Sequence, residues 1–168
     1  NFGSPNITRV TDFFNPSKYP ALATRNWGAD DAATAGDSGR IYIAWQDARL
    51  YSIPTLGEPK SYNIYFRTFQ SRGGVGFGPE IQVSPYDSIN AANSPVVAVG
   101  DSSRIFLIYQ RANNGNTELY SSIYNSQTRV MGAEQALTAD LNFSGLPSAA
   151  STRDGVVHVV WTDNRIST

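Results

Sequence analysis

The sequence has no cysteine, one histidine and one methionine. Without cysteine the chain forms no disulfide, no thiolate metal site and no cysteine nucleophile, and the single histidine, His158, cannot supply a zinc-binding pair. Only 16% of the residues are charged, and the 13 Lys and Arg are balanced by 14 Asp and Glu. The composition therefore gives no excess of positive charge of the kind that nucleic-acid binding requires. Apolar stretches are a few residues long, well short of the ~20 that a membrane-spanning helix needs. We therefore expect neither nucleic-acid binding nor membrane insertion.

Residues that favour helices are also few. Eight Leu, four Glu and two Lys stand against 22 Val and Ile and 20 aromatic residues. The β-branched and aromatic side chains favour strands, and the 14 Gly, nine Pro and 13 Asn supply the tight turns that join them. The composition predicts an all-β fold with little or no helix.

A four-part repeat organises the chain. The first part is Pro-x-x-Ala, which begins at Pro20, Pro95 and Pro147. The second is an apolar run that ends in an aromatic residue, at Trp45, Tyr109 and Trp161. The third is a strand-like run over 63–69 and 118–124, and the fourth ends in Val-Ser or Leu-Thr at 83–84 and 137–138, with an early copy at 10–11.

Four short strands repeated at this spacing are typical of a β-propeller blade, whereas the main alternative, a β-sandwich, gives no reason for a four-part repeat. We predict a single propeller segment over 1–168, built of four-stranded antiparallel blades, with about three blades and an incomplete ring. Residues 1–12 would form a closing fourth strand, 19–85 the first blade, 94–139 the second, and 146–168 the first half of a third. Further residues of a longer chain, or other subunits, are expected to complete the ring.

One motif resembles a known family. The segments 45–49 and 161–165 share Trp-x-Asp-x-Arg, which is similar to the sialidase-like propellers built from Asp-box (BNR) repeats. The Asp box itself, Ser-x-Asp-x-Gly-x-x-Trp, is degenerate here, since Gly74 and Phe77 keep two of its positions while Gln70 and Arg72 replace its Ser and Asp. For a catalytic member the resemblance implies an arginine cluster, a Tyr nucleophile activated by a Glu, and an Asp acid. No local motif assigns these roles to residues of this chain.

The repeat-equivalent residues are predicted to be structural. We expect the aromatic residues Trp45, Tyr109 and Trp161 to pack between blades. Asp47 and Asp163 are expected to accept turn N–H groups and to pair with Arg49 and Arg165. The equivalent pair Glu80 and Glu134 is predicted to face solvent.

Loops that join the second strand to the third, and one blade to the next, lie on one face of a propeller and often carry function. The ligand-binding candidates on this face are Phe13, Arg49, Tyr51, Tyr62 and Tyr86. Calcium binding by Asp30, Asp31 and Asp37 is an alternative to a solvated insertion, and no other cofactor or metal is predicted. Asn6 and Asn142 begin glycosylation sequons.

These observations predict a non-catalytic interaction module, extracellular or at the cell surface, that binds a glycan or a protein. Two alternatives stay open. The chain could be a fragment of a sialidase or related glycoside hydrolase, or a structural subunit of a filament or oligomer.

Overall fold

The structure is a computed structural model of the 168-residue chain, and it describes residues 9–11, 16–24, 39–49, 61–70, 76–86, 90–101, 103–113 and 115–165. Every regular element in these ranges is a β-strand, which confirms the all-β prediction. No helix within them is long and apolar enough to cross a membrane.

The first sheet contains β1 (Ser17–Thr24), β2 (Arg40–Asp47), β3 (Asn63–Gln70), β4 (Gly76–Phe77) and β5 (Ile81–Gln82). Its strands run antiparallel in chain order, and the two short strands β4 and β5 both pair with β3. They therefore share the fourth position of a four-strand meander.

The second sheet repeats this arrangement with β6 (Ala92–Val99), β7 (Arg104–Asn113), β8 (Asn116–Asn125), β9 (Val130–Met131) and β10 (Gln135–Ala136). Both β9 and β10 pair with β8. The third sheet holds β11 (Ser144–Ser151) and β12 (Val157–Asp163) alone. In the part of the chain described, the sheets form no closed ring.

The fourth part of the sequence repeat ends each of the first two sheets in the same way. The Val83 N–H donates to the Ile64 carbonyl, and the next residue, Ser84, accepts the Ile64 N–H on its hydroxyl at 2.9 Å. In the second sheet Leu137 donates to Leu119, and the Thr138 hydroxyl accepts the Leu119 N–H, also at 2.9 Å. A hydroxyl thus replaces a strand carbonyl, which is why Ser or Thr follows the apolar residue.

The first part of the repeat forms a β-bulge in every sheet. The register shifts between residues 18 and 21, 93 and 96, and 145 and 148, so two residues of the first strand oppose one of the second. The first bulge residue has a positive φ in each case, near +50°, at Tyr19, Ser94 and Leu146, and the second is the proline. The residue opposite is the aromatic one, Trp45, Tyr109 or Trp161. The proline and the aromatic residue of the repeat are therefore cross-strand neighbours.

The main core lies between the first and second sheets. Alternate residues of each strand point to this layer, and the cluster includes Tyr42, Phe66, Leu107, Tyr109 and Tyr124. The rings of Phe66 and Tyr124 meet across the two sheets with centroids 4.8 Å apart and a 51° tilt. Aromatic pairs in such tilted geometry contribute about 0.5–1.5 kcal/mol beyond their buried area.

The second sheet packs on the first in the same way as the third packs on the second. Strand β6 packs on β1, β2 and β3, and β11 packs on β6, β7 and β8. A glutamine side chain of the earlier sheet accepts the N–H of the first bulge residue in the later one. Gln46 Oε1 lies 3.1 Å from the Ser94 nitrogen, and Gln110 Oε1 lies 2.7 Å from the Leu146 nitrogen. The bulge thus also joins neighbouring sheets.

Candidate functional site

One end of the three sheets gathers the polar and charged residues that the sequence repeat singles out. There β2, β7 and β12 end, β3 and β8 begin, and the connections to the next sheet depart. We call this the loop end. Arg49, Tyr62 and Tyr86 lie on it, whereas the candidates Phe13 and Tyr51 fall outside the described residues.

Arg49 is the centre of the loop end of the first sheet. Its guanidinium lies between two carboxylates, with Nη2 2.9 Å from Asp47 Oδ2 and 3.2 Å from Glu80 Oε2, and Nη1 contacts Glu80 Oε1. The ring of Tyr65 lies below it, 3.9 Å from the guanidinium carbon. With its side chain only 7% exposed, Arg49 is held by groups of its own sheet.

Asp47 is fully buried and accepts four hydrogen bonds. They come from the Ser17 hydroxyl at 2.8 Å, the Trp45 indole at 3.2 Å, and the backbone nitrogen and guanidinium of Arg49 at 2.7 and 2.9 Å. Burial disfavours the charged carboxylate, but the bonds from Arg49 and Ser17 outweigh it, so the pKa of Asp47 lies below its ordinary value. Asp47 is therefore an ionised anchor at neutral pH and a poor proton donor.

The second sheet has an equivalent centre built from different positions. Arg111 stands at the position of Asp47, and its Nη2 lies 2.9 Å from Glu134 Oε1, above the ring of Tyr120. Glu134 is the repeat equivalent of Glu80, and Tyr120 that of Tyr65. The expectation that both glutamates face solvent is corrected here, since each is partly buried against an arginine.

A tyrosine and a glutamate meet in this second centre. The Tyr109 hydroxyl donates to Glu134 Oε2 at 2.6 Å. A Tyr–Glu pair is what the sialidase resemblance asks of a nucleophile, but Tyr109 is fully buried. Burial, and then the negative Glu134, raise the pKa of Tyr109 far above its ordinary value. The phenol is therefore harder to ionise than a free tyrosine, and no substrate reaches it in this arrangement.

The third sheet carries the Trp-x-Asp-x-Arg motif with more exposure. Asp163 Oδ1 accepts the Arg165 backbone N–H at 2.8 Å, and Asp163 Oδ2 accepts the Trp161 indole at 3.2 Å. The Arg165 Nε also donates to Asp163 Oδ1 at 2.9 Å. The backbone bond from Arg165, and then its side-chain bond, lower the pKa of Asp163 to about 2. The predicted Asp–Arg pairs thus occur in both copies of the motif. Trp161 differs from the expectation of packing between sheets, since it is 39% exposed.

A buried carboxylate that the sequence analysis did not single out, Glu118, organises the loop between the second and third sheets. Its Oε1 accepts the Asn116 amide at 2.8 Å and the Asp140 N–H at 3.2 Å, and its Oε2 accepts the Thr138 hydroxyl. Asn116 in turn donates to the Asp140 and Asn142 carbonyls at 2.9 Å. The only sequence signal was that Glu118 is the one charged residue of its strand.

The remaining candidates have simple placements. The Tyr62 ring is half-buried beneath the Lys18 ammonium, at 5.7 Å, while Tyr86 is 62% exposed. Asn142 is exposed, and the serine of its sequon, Ser144, is fully buried. The sequon at Asn6 and the calcium candidates at 30, 31 and 37 lie outside the described residues. Among those described, no three acidic or histidine side chains are placed to hold a metal ion.

No known family model matches the chain, and no curated protein does. Function is therefore inferred from the residues of the loop end alone.

Proposed function

We propose that the chain is a segment of a sialidase-like β-propeller, with its two four-strand meanders as successive blades. The repeated step supports this, because β6 and β11 meet the preceding sheet through the same three strands and the same glutamine bond. About three blades, the third incomplete, would be present. Further residues or other subunits would close the ring.

The proposed function is non-catalytic recognition of a glycan or a protein at the loop end, outside the cell or on its surface. One observation carries it: in the described part of the chain, the arginines and the Tyr–Glu pair of the loop end already have partners within the chain. The arginines Arg49, Arg111 and Arg165 each pair with a carboxylate of the chain, and Tyr109 is buried on Glu134. A cluster committed to internal ion pairs is a scaffold rather than a carboxylate-binding site.

Two large apolar side chains of the described loop end are exposed and available to a ligand. Tyr86 follows β5 with 62% of its surface exposed, and Leu141, in the connection to β11, is 97% exposed. An exposed tyrosine offers a flat apolar face and a hydroxyl, a combination suited to sugar rings and to protein contacts.

The test combines a glycan array with a fluorogenic sialoside assay on the 168-residue chain. We expect glycan binding without turnover, and loss of binding in the double variant Tyr86→Ala, Leu141→Ala. Val130→Ala is the matched control, because Val130 is also an exposed apolar residue, 59%, but lies at the opposite end of the second sheet. Sialoside turnover that Tyr109→Phe abolishes would contradict the proposal and favour the glycoside hydrolase. Absence of glycan binding would move the search to protein partners.

A further inference from the structure

The outer edge of β12 differs from the corresponding edges of the other two sheets. In those sheets the second strand pairs on both sides, β2 with β1 and β3, and β7 with β6 and β8. Among the described residues β12 pairs only with β11.

The aromatic residue of the motif is covered by a facing aromatic residue in the first two sheets but not in the third. Trp45 is 2% exposed because it stacks on Tyr65 of the third strand, with ring centroids 6.2 Å apart and planes 24° from parallel. Tyr109 is fully buried, and the facing residue of its third strand is Tyr120. Trp161 has no such facing residue in the described part of the chain, and 39% of it is exposed.

The arginine of the motif is also less well paired in the third sheet. Arg49 and Arg111 have side chains 7% and 18% exposed, and each pairs with a glutamate that precedes the last short strand of its sheet, Glu80 or Glu134. Arg165 has a side chain 55% exposed, and its partners are Asp163 and, at 3.5 Å, Asp140. Among the described residues, no glutamate pairs with Arg165.

We propose that the edge of β12 is a docking site for a β-strand pair that carries an aromatic residue opposite Trp161 and, after a turn, a glutamate that reaches Arg165. This rests on the proposed propeller arrangement and names the partner that its third blade requires. The first strand of the pair runs antiparallel to β12 and covers Trp161. The second strand brings the carboxylate to Arg165, as β3 and β5 do in the first sheet.

A second copy of β12 is a poorer occupant for this edge. Antiparallel pairing of two β12 strands would satisfy the backbone groups, but a lone strand brings no turn and no returning glutamate. Charge complementarity at Arg165 therefore favours a two-strand segment over edge-to-edge dimerisation.

The probe for this site is a synthetic peptide of residues 116–138, which holds both Tyr120 and Glu134 of the second sheet. Fluorescence anisotropy measures its binding to the full chain, and hydrogen exchange locates the amides that it protects. We expect protection on β12. Because a charge-assisted hydrogen bond contributes about 1.5–3 kcal/mol, Glu134→Gln in the peptide should weaken binding by about tenfold or more. Trp161→Ala in the chain should weaken it as well.

Several results would overturn the proposal. They are no binding of the peptide, binding without protection of β12, equal binding of the Glu134→Gln peptide, and a concentration-dependent dimer that itself protects β12. A scrambled peptide and the chain variant Val130→Ala are the controls. Ligand binding at the loop end is measured separately through Tyr86, so failure of the edge proposal and failure of the recognition proposal remain distinguishable.

Discussion

Replacing Asp47 with Asn tests whether the loop end is held by charge. The substitution keeps the size of the side chain and removes its negative charge. An amide group then takes the place of one carboxylate oxygen, so at least one of the donors from Ser17, Trp45 and Arg49 meets another donor. The remaining carboxylate on Arg49 is Glu80.

The magnitude follows from the burial of the pair. Breaking a buried ion pair by removing one partner costs about 3–5 kcal/mol. Glu80 still neutralises Arg49, so we expect a loss near the lower end, about 3 kcal/mol of unfolding free energy at pH 7. The exposed carboxylate Asp101, paired with Arg104 on the surface, provides the control Asp101→Asn, which should barely change the stability.

The cost should also depend on pH, with a defined sign. The pKa of Asp47 is lower in the folded state than its ordinary value, so the unfolded chain binds the proton more readily. The stability that Asp47 contributes is present above about pH 4, its ordinary range, and is lost as the pH falls through the folded pKa. Urea unfolding of both proteins from pH 7 to pH 3 should show the difference shrinking. A difference that stays constant over this range would refute the role of charge.

Two further predictions concern single contacts. Ser84→Ala leaves the buried Ile64 N–H without its side-chain acceptor. The free energy of unfolding, measured with urea, should fall by about 1–3 kcal/mol. Equal stability of variant and parent would contradict this prediction. Gly155→Ala should lower the melting temperature more than Gly115→Ala. Both glycines have positive φ, but a methyl group at Gly155 would lie 2.7 Å from the backbone of Asp101, whereas Gly115 faces open space. Equal shifts would show that backbone conformation alone matters at these turns.

The sequence repeat predicted the all-β class and the residues that recur in each sheet, but not how these residues contact one another. Proline and the aromatic residue recur at fixed positions, yet only the register shows that Pro95 of the bulge lies opposite Tyr109. Spacing along the chain carries no information about a two-against-one pairing. The positive φ at Ser94 was equally hidden, because non-glycine residues rarely adopt it.

The glutamates show why the prediction for the candidate site was incomplete. Glu80 and Glu134 are equivalent in the repeat, but the arginines that bind them are not, since Arg111 matches Asp47 instead of Arg49. A comparison of repeats position by position therefore misses the shared ion pair. Only the three-dimensional arrangement shows that Arg111, although it lies two positions earlier in the repeat than Arg49, reaches the equivalent glutamate.

The bulge has a consequence for protein engineering. Strand register in a hairpin is usually fixed by the turn. Here β1 and β2 are joined by residues 25–39 and β6 and β7 by only 100–103, yet both pairs have the same register on either side of the bulge. The bulge, rather than the turn, therefore sets the alignment. We therefore expect a change in the length of the connection between the first two strands of a sheet to leave their pairing intact.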